Sequence, residues 1–399
     1  MKTGSLTAFL RDGGWMVEER IVFYAAMTLV AYCLFAAGTL WLSPEVVEYR
    51  SYGRDFSSAY VAGSLARQGR PAEAYNVDVL RVEEKKLLTD ISEGYYAWFY
   101  PPVFMLVAVV LALLPYGWAQ LAWLGTTAVA YAAGVRSLCP RRYALLVAVA
   151  WPGFMVNLLY GQNGFFSAAL LAAGIALLEE RPIAAGLLLG ALCYKPQMVL
   201  LVPLALLAGG HWRALFTMGM SVVALCATAA VLFGGDTWLA FFSATPATRV
   251  ALEEGGPGFY QIITVFSAVR ALGVPVPPAY ALQGLTTIAV AGALVIAWRS
   301  RAPVHLKGAV LAAAVPLATP FALVYDLVIN AIAVAGLVRE AARTGFRPWE
   351  ETLIAVVCIA PVVSVLFARP TGISLAPWVQ VALLVMLMRR VLDSPRGDA

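Results

Sequence analysis

Apolar runs of bilayer-crossing length recur from one end of this 399-residue chain to the other, and no other feature limits its fold as strongly. A helix needs about 20 consecutive apolar residues to cross the hydrocarbon core of a membrane. The first such run is 21–42. Further apolar stretches, of 13 to 21 residues, follow at 118–136, 142–160, 164–178, 182–194, 196–209, 213–233, 280–298, 304–319, 322–338, 351–367 and 374–388. Backbone N–H and C=O groups in lipid must be satisfied within the chain, so such runs predict helices. The expectation is an all-α polytopic membrane protein of about 12 transmembrane helices, built as one integral domain over 1–399.

Composition excludes the main alternative. Only 13% of the residues are charged and 61% are hydrophobic, where a soluble domain carries about twice that charge fraction. The net charge of +5 is spread over short loops and is not gathered with aromatics as a nucleic-acid binder requires. Basic residues separate alternate apolar runs: Arg136/Arg141/Arg142, Arg181, Arg213, Arg299/Arg301/Lys307, Arg339/Arg343/Arg347 and Arg389/Arg390. The positive-inside bias puts these loops in the cytoplasm. The junctions near Gly161, Lys195, 234–279, Pro320 and 368–373 then share the outer side. With a cytoplasmic N-terminus, the interval 43–99 joins that side only if one early segment fails to cross. The short stretch 103–114 is the candidate for a half-length or re-entrant helix. The N-terminus lacks a cleavable signal pattern, because the run from Ile21 is long enough to remain as an anchor.

Cys33, Cys139, Cys193, Cys226 and Cys358 form no CxxC pair and are odd in number, which argues against a disulfide framework or zinc site. His211 and His305 fall in expected cytoplasmic loops, away from any common metal site. We expect no metal among the site residues, although one clear carboxylate with a distant second leaves divalent-metal dependence open.

The outer intervals 43–99 and 234–279 hold most of the extramembrane chain. In the first, Ser43-Pro44 ends the opening span. A charged stretch, Val79 to Thr89, presents Leu80, Val82, Leu87 and Leu88 as an apolar face. That face either lies on the bilayer interface or packs on the rest of the loop. Tyr95, Tyr96, Trp98, Phe99 and Tyr100 precede Pro101-Pro102 and mark the return to the membrane.

Polar groups converge on the same outer side. Asp55 follows the first span, flanked by Arg54 and Phe56. Asn157, Gly161, Gln162 and Asn163 lie at one helix junction, Tyr194-Lys195-Pro196-Gln197 at another, and Pro320 with Tyr325-Asp326 at a third. Ionisable residues between apolar runs are functional candidates by default. Each has a plainer alternative. Asp55 can be a solvated loop residue and Lys195 can snorkel to headgroups. Asp326 can cap or pair within the bundle, Gln162 and Asn163 can close a hairpin, and Tyr100-Pro101-Pro102 can simply start a helix. There is no P-loop, GxSxG, HExxH or GxGxxG motif.

The ordered set Asp55-Phe56 with Tyr60, Tyr100-Pro101-Pro102, Gly161-Gln162-Asn163, Ala185-Gly186 leading to Lys195-Pro196, and Pro320 with Tyr325-Asp326 resembles glycosyltransferase family 87 of the GT-C superfamily, from about residue 21 to about 340. The resemblance implies a GT-C-like helical bundle with an extracytoplasmic active site in a bacterial plasma membrane. It implies a polyprenyl-phosphate sugar as donor, mannose favoured, and a lipid or glycan hydroxyl as acceptor. It implies inversion at the anomeric carbon, with Asp55 as catalytic base. Arg54, Tyr60, Tyr100, Gln162, Asn163, Lys195, Tyr325 and Asp326 become candidates for donor or acceptor binding, with Lys195 or Arg54 against the departing phosphate. Family members can carry an assisting histidine near the Pro320 region, where Tyr325-Asp326 stands here. No cofactor and no nucleic-acid partner is implied. The competing readings are a multi-pass transporter or flippase of a lipid-linked substrate, and a structural membrane subunit.

Overall fold

The computed structural model describes residues 3–42, 53–88 and 96–393; Ser43, Pro44, Thr89 and Tyr95 lie outside them. The described chain is helical throughout, with one isolated antiparallel bridge between Ile262 and Leu323.

Among the described residues, four helical segments are long and apolar enough to cross a bilayer: Glu18–Gly38, Trp212–Phe233, Val276–Arg299 and Glu350–Thr371. A fifth span results if Pro102–Leu111 and Tyr116–Leu138, bent by 116° at their junction, count as one. The other apolar stretches are shorter, as in Gly164–Leu177, Pro182–Tyr194, Pro196–Ala208 and Val304–Leu317. Helix length therefore supports four or five crossing helices where hydropathy suggested about twelve. The reason is local. A proline lacks an N–H donor and clashes with the preceding turn. The run 142–160 accordingly divides into Ala144–Ala150 and Pro152–Tyr160. The runs 182–194 and 196–209 meet at the Lys195-Pro196 break. The run 322–338 opens with a 3₁₀ segment, Val324–Ile329, before the helix Asn330–Thr344.

The interval 103–114 fits the expected half-length helix, whereas 234–279 differs in character from the expectation. Residues 103–114 hold only the short helix Met105–Leu111 before the sharp turn. The interval 234–279 is no open loop. It begins with the 19-residue helix Gly235–Glu253, which runs through Pro246. The amphipathic helix Val77–Leu87 is capped by the Asn76 side chain, which accepts from the N–H groups of Asp78 at 3.0 Å and Val79 at 3.3 Å. It packs on the helix Phe56–Arg67 and buries Leu80, with Leu88 just beyond its end, while Val82 faces outward. Its apolar face is thus turned mainly to protein.

The core is built on close backbone approach. The Val304–Ala314 helix runs through the interior, with Ala309 to Ala314 all buried, and packs on Asn330–Thr344. Pro182–Ala191 lies along Trp212–Phe233, and a methyl group at Gly186 would overlap Thr217 Oγ1 and the Ala214 carbonyl. The outer faces are the reverse of a soluble surface. Val129, Phe216, Val231, Ile288 and Leu366 are 69–83% exposed, as suits contact with acyl chains and not with water.

Candidate active site

The site is assembled by two turns held against each other. Gly53 donates its N–H to the Leu159 carbonyl at 2.7 Å, and its own carbonyl accepts from Gln120 Nε2 at 2.9 Å. Gly161, at φ +73°, ends the helix Pro152–Tyr160. A left-handed residue is the usual way to stop a helix and glycine bears it without a Cβ penalty. A Cβ here would also lie 2.6 Å from the Gly53 carbonyl oxygen. Asn157 closes the turn from inside: its Nδ2 donates to the Gln162 carbonyl at 3.1 Å and its Oδ1 accepts from the Gly164 N–H at 2.8 Å. These contacts carry Asp55, two residues past Gly53, to the side chain of Gln162.

Asp55 occupies the N-cap position of Phe56–Arg67 yet makes no capping hydrogen bond with its side chain. An N-cap aspartate ordinarily accepts from the first turn. Here the carboxylate is turned instead toward a cavity, and Oδ2 accepts from Gln162 Nε2 at 2.9 Å. Burial pushes the Asp55 carboxyl up to about 6, with the Gln162 N–H opposing that rise.

A second carboxylate stands behind it. Glu84 is fully buried and accepts from Ser57 Oγ and the Tyr96 N–H, each at 2.8 Å. Burial pushes it up to about 7, against those two donors and with a smaller contribution from Asp55. Glu84 ties the Val77–Leu87 helix to both the start of Phe56–Arg67 and the aromatic segment leading to Pro101.

The break at Lys195 supplies the opposite wall. Lys195 is 2% exposed. Its Nζ donates to Asp326 Oδ1 at 2.6 Å and to Asn163 Oδ1 at 3.1 Å, and it lies 4.8 Å from the centre of the Tyr325 ring. The remaining Asp326 oxygen accepts from the Leu323 N–H at 3.1 Å. Lys195 therefore does not snorkel, and Asp326 both caps and pairs. Tyr194 donates to the Asn163 carbonyl at 3.3 Å and shares a 2.5 Å hydrogen bond with Ser167.

The cavity has a volume of about 950 Å³, and Arg54, Asp55, Tyr100, Gln162, Lys195 and Tyr325 all line it. Asn163 and Asp326 sit buried just behind this wall. Tyr60 is the candidate that the fold does not bring in. Its hydroxyl donates to the Leu114 carbonyl at 3.0 Å, and its ring meets Tyr116 edge-on with centroids 5.3 Å apart. It borders a separate shallow cleft beside Glu83 and Lys86.

Several lining residues escaped the sequence reading. Thr245, Thr248, Arg249 and Leu252 all face the cavity. Their i, i+3, i+4, i+7 spacing marks one helix face, but Gly234-Gly235, Pro246 and Gly255-Gly256 in the same interval obscure the helix along the sequence. Arg249 pairs with Glu253 at 2.7 Å. Glu84 gave no usable signal, since it lies in a charged run whose other members are solvated.

This geometry offers one half-buried carboxylate with an oriented amide donor, guanidinium groups at Arg54 and Arg249, and a cavity large enough for a small-molecule ligand. It suits proton removal beside an anionic group. Residues 98–320, more than half of the chain, match the sequence model of glycosyltransferase family 87. Tyr100, Gln162, Asn163 and Lys195 lie within the match, while Asp55 and Asp326 lie outside it. Comparison with curated proteins and with solved structures gave no match. A helical bundle with lipid-suited faces, a cavity floored by a carboxylate and a family match over most of its length lead to one assignment: the chain belongs to glycosyltransferase family 87 and is a membrane glycosyltransferase.

Proposed function

We propose that the protein moves a hexose, mannose being favoured, from a polyprenyl-phosphate donor to a hydroxyl of a lipid or glycan acceptor, on the extracytoplasmic face of a bacterial plasma membrane. Asp55 is the general base. The acceptor oxygen attacks the anomeric carbon while Asp55 takes its proton. The bond from that carbon to the phosphate oxygen breaks, and its electron pair leaves with the polyprenyl phosphate. The sugar configuration inverts in the single displacement, and Asp55 returns its proton to water. No general acid is required, because the departing phosphate oxygen is a weak base and keeps the electron pair without a proton.

The observation that supports this reading is the Asp55 carboxylate, turned from its capping role into the cavity and held near the pH at which a base works best. Arg54 and Arg249 on the same cavity suit an anionic donor. The family assignment favours group transfer over the transport of a lipid-linked substrate. The test is to incubate purified protein with a panel of polyprenyl-phosphate sugars and follow glycosyl transfer. We expect Asp55→Asn to lower kcat by roughly 10²–10⁴-fold, the range supplied by general-base catalysis, while the protein remains inserted and folded. Transfer at the unaltered rate by that variant would overturn the assignment of Asp55.

A further inference from the structure

A line of hydrogen bonds crosses the site from the buried ion pair to the base. Lys195 Nζ donates to Asn163 Oδ1 at 3.1 Å, Asn163 Nδ2 to the Tyr100 hydroxyl at 2.6 Å, that hydroxyl to Gln162 Oε1 at 3.2 Å, and Gln162 Nε2 to Asp55 Oδ2 at 2.9 Å. Its direction is forced at both ends. An ammonium can only donate, so Asn163 must present its oxygen to Lys195 and its NH₂ to Tyr100. Tyr100 accepts that bond and donates its own O–H to Gln162 Oε1. Burial keeps the Tyr100 phenol well above its ordinary range, so it remains an O–H donor. Gln162 is left with its NH₂ toward Asp55, which as a carboxylate only accepts. Reversing any one amide would set oxygen against oxygen or donor against donor.

We infer that Lys195 is the anchor of this line and positions the Asp55 carboxylate through Asn163, Tyr100 and Gln162, and that it is not the cation that receives the donor phosphate. Its charge is already matched by Asp326 at 2.6 Å, both side chains being nearly inaccessible. One Asp55 oxygen is thereby fixed by Gln162, which orients the carboxylate for the acceptor proton. The inference rests on Asp55 acting as the base. Arg54, Glu84, Tyr96, Tyr100, Tyr160 and Tyr325 are the other ionisable groups around Asp55, and of these only Tyr100 belongs to the line.

The test compares Tyr100→Phe with the charge-balanced double variant Lys195→Met/Asp326→Asn in the purified enzyme, using a polyprenyl-phosphate sugar that the unaltered protein transfers. Phenylalanine keeps the ring contacts with Trp98 and Phe104. Both variants lose the oriented donor at Asp55. We expect kcat to fall roughly 10- to 100-fold, the cost of a hydrogen bond to a charged group, with donor KM unchanged. The acidic limb of the kcat/KM profile should move to higher pH, since the Gln162 bond that opposes protonation of Asp55 is no longer held in place. A merely structural loss would lower active enzyme without moving that limb. Gln162→Met, of similar length but with no N–H, should reproduce the shift should Tyr100→Phe fail to fold. An unaltered rate and limb in Tyr100→Phe, or a raised donor KM in the double variant, would overturn the inference. Asp55→Asn run alongside separates the two levels: full transfer by that variant removes the base itself, whereas its loss together with an unmoved limb in Tyr100→Phe removes only the line.

Discussion

Removing Lys195 should destabilise this protein more than removing Lys195 and Asp326 together. The two side chains are 3% and 1% exposed and 2.6 Å apart. Lys195→Met keeps an unbranched stem in place and deletes the ammonium. Asp326 is then left with the Leu323 N–H, at 3.1 Å, as its hydrogen-bond donor in an apolar bundle. Removing one partner of a buried pair costs about 3–5 kcal/mol, because the other charge is stranded. Asp326→Asn strands Lys195 in the same way, with the Asn163 oxygen as its remaining acceptor at 3.1 Å. In Lys195→Met/Asp326→Asn no charge is stranded, and the amide oxygen can still cap the Leu323 N–H. Replacing both members of such a pair is often neutral. The double variant should therefore be more stable than the sum of the single losses by roughly 3 kcal/mol or more. The assay is thermal unfolding in detergent for all four proteins at one scan rate, since membrane-protein unfolding is read kinetically when it is irreversible. Both single variants should melt well below the parent, and the double variant close to it. Strictly additive losses would refute the pairing and return Lys195 to the candidates for a phosphate-docking cation.

The remaining expectations concern the scaffold. Glu84 is pushed up from 4.5 to about 7, so the folded protein binds this proton more tightly than the unfolded chain. Its contribution to stability is full below pH 4.5 and is lost as pH rises through about 7. Glu84→Gln should flatten that decline, by at most about 3 kcal/mol between pH 4.5 and 8, measured as the pH dependence of Tm; an equally steep decline in the variant would show that Glu84 is not the group responsible. Gly161→Ala should cost about 1–2 kcal/mol for the left-handed backbone alone. Its added methyl would also push against Gly53, so transfer should fall together with Tm, and an active variant of unaltered Tm would show that the two turns need not touch.

Much of this was legible along the chain. The helix Trp212–Phe233 was foreseen as 213–233 and Glu350–Thr371 as 351–367, because each is a long continuous apolar run; the second stays one helix although Pro361 and Pro370 lie within it. The break at Lys195-Pro196 was visible in the sequence, whereas Pro152 lies inside the run 142–160, where hydropathy averages across it and two short helices read as one span. The candidate polar residues were found at helix junctions because an ionisable group is costly anywhere else in such a chain. What could not be read was partnership. Lys195 and Asp326 are separated by 131 residues and Asp55 and Gln162 by 107. Tyr60, five residues from Asp55, resembled a site residue from its neighbourhood, yet one helical turn and a half turns it to Leu114 and Tyr116.

The sequence by itself determined a helical membrane chain whose charged side chains keep to the ends of the long apolar helices, since a charge is costly within lipid. It also held the pattern that marks glycosyltransferase family 87. Only the tertiary structure decided which charges are spent on one another and which face the cavity. That decision belongs to packing: the touching turns at Gly53 and Gly161 bring Asp55 to Gln162, and the break at Pro196 brings Lys195 to Asp326. Contacts between segments more than a hundred residues apart have no local signature, because nothing in the spacing of residues along a strand of chain records the folded distance between them.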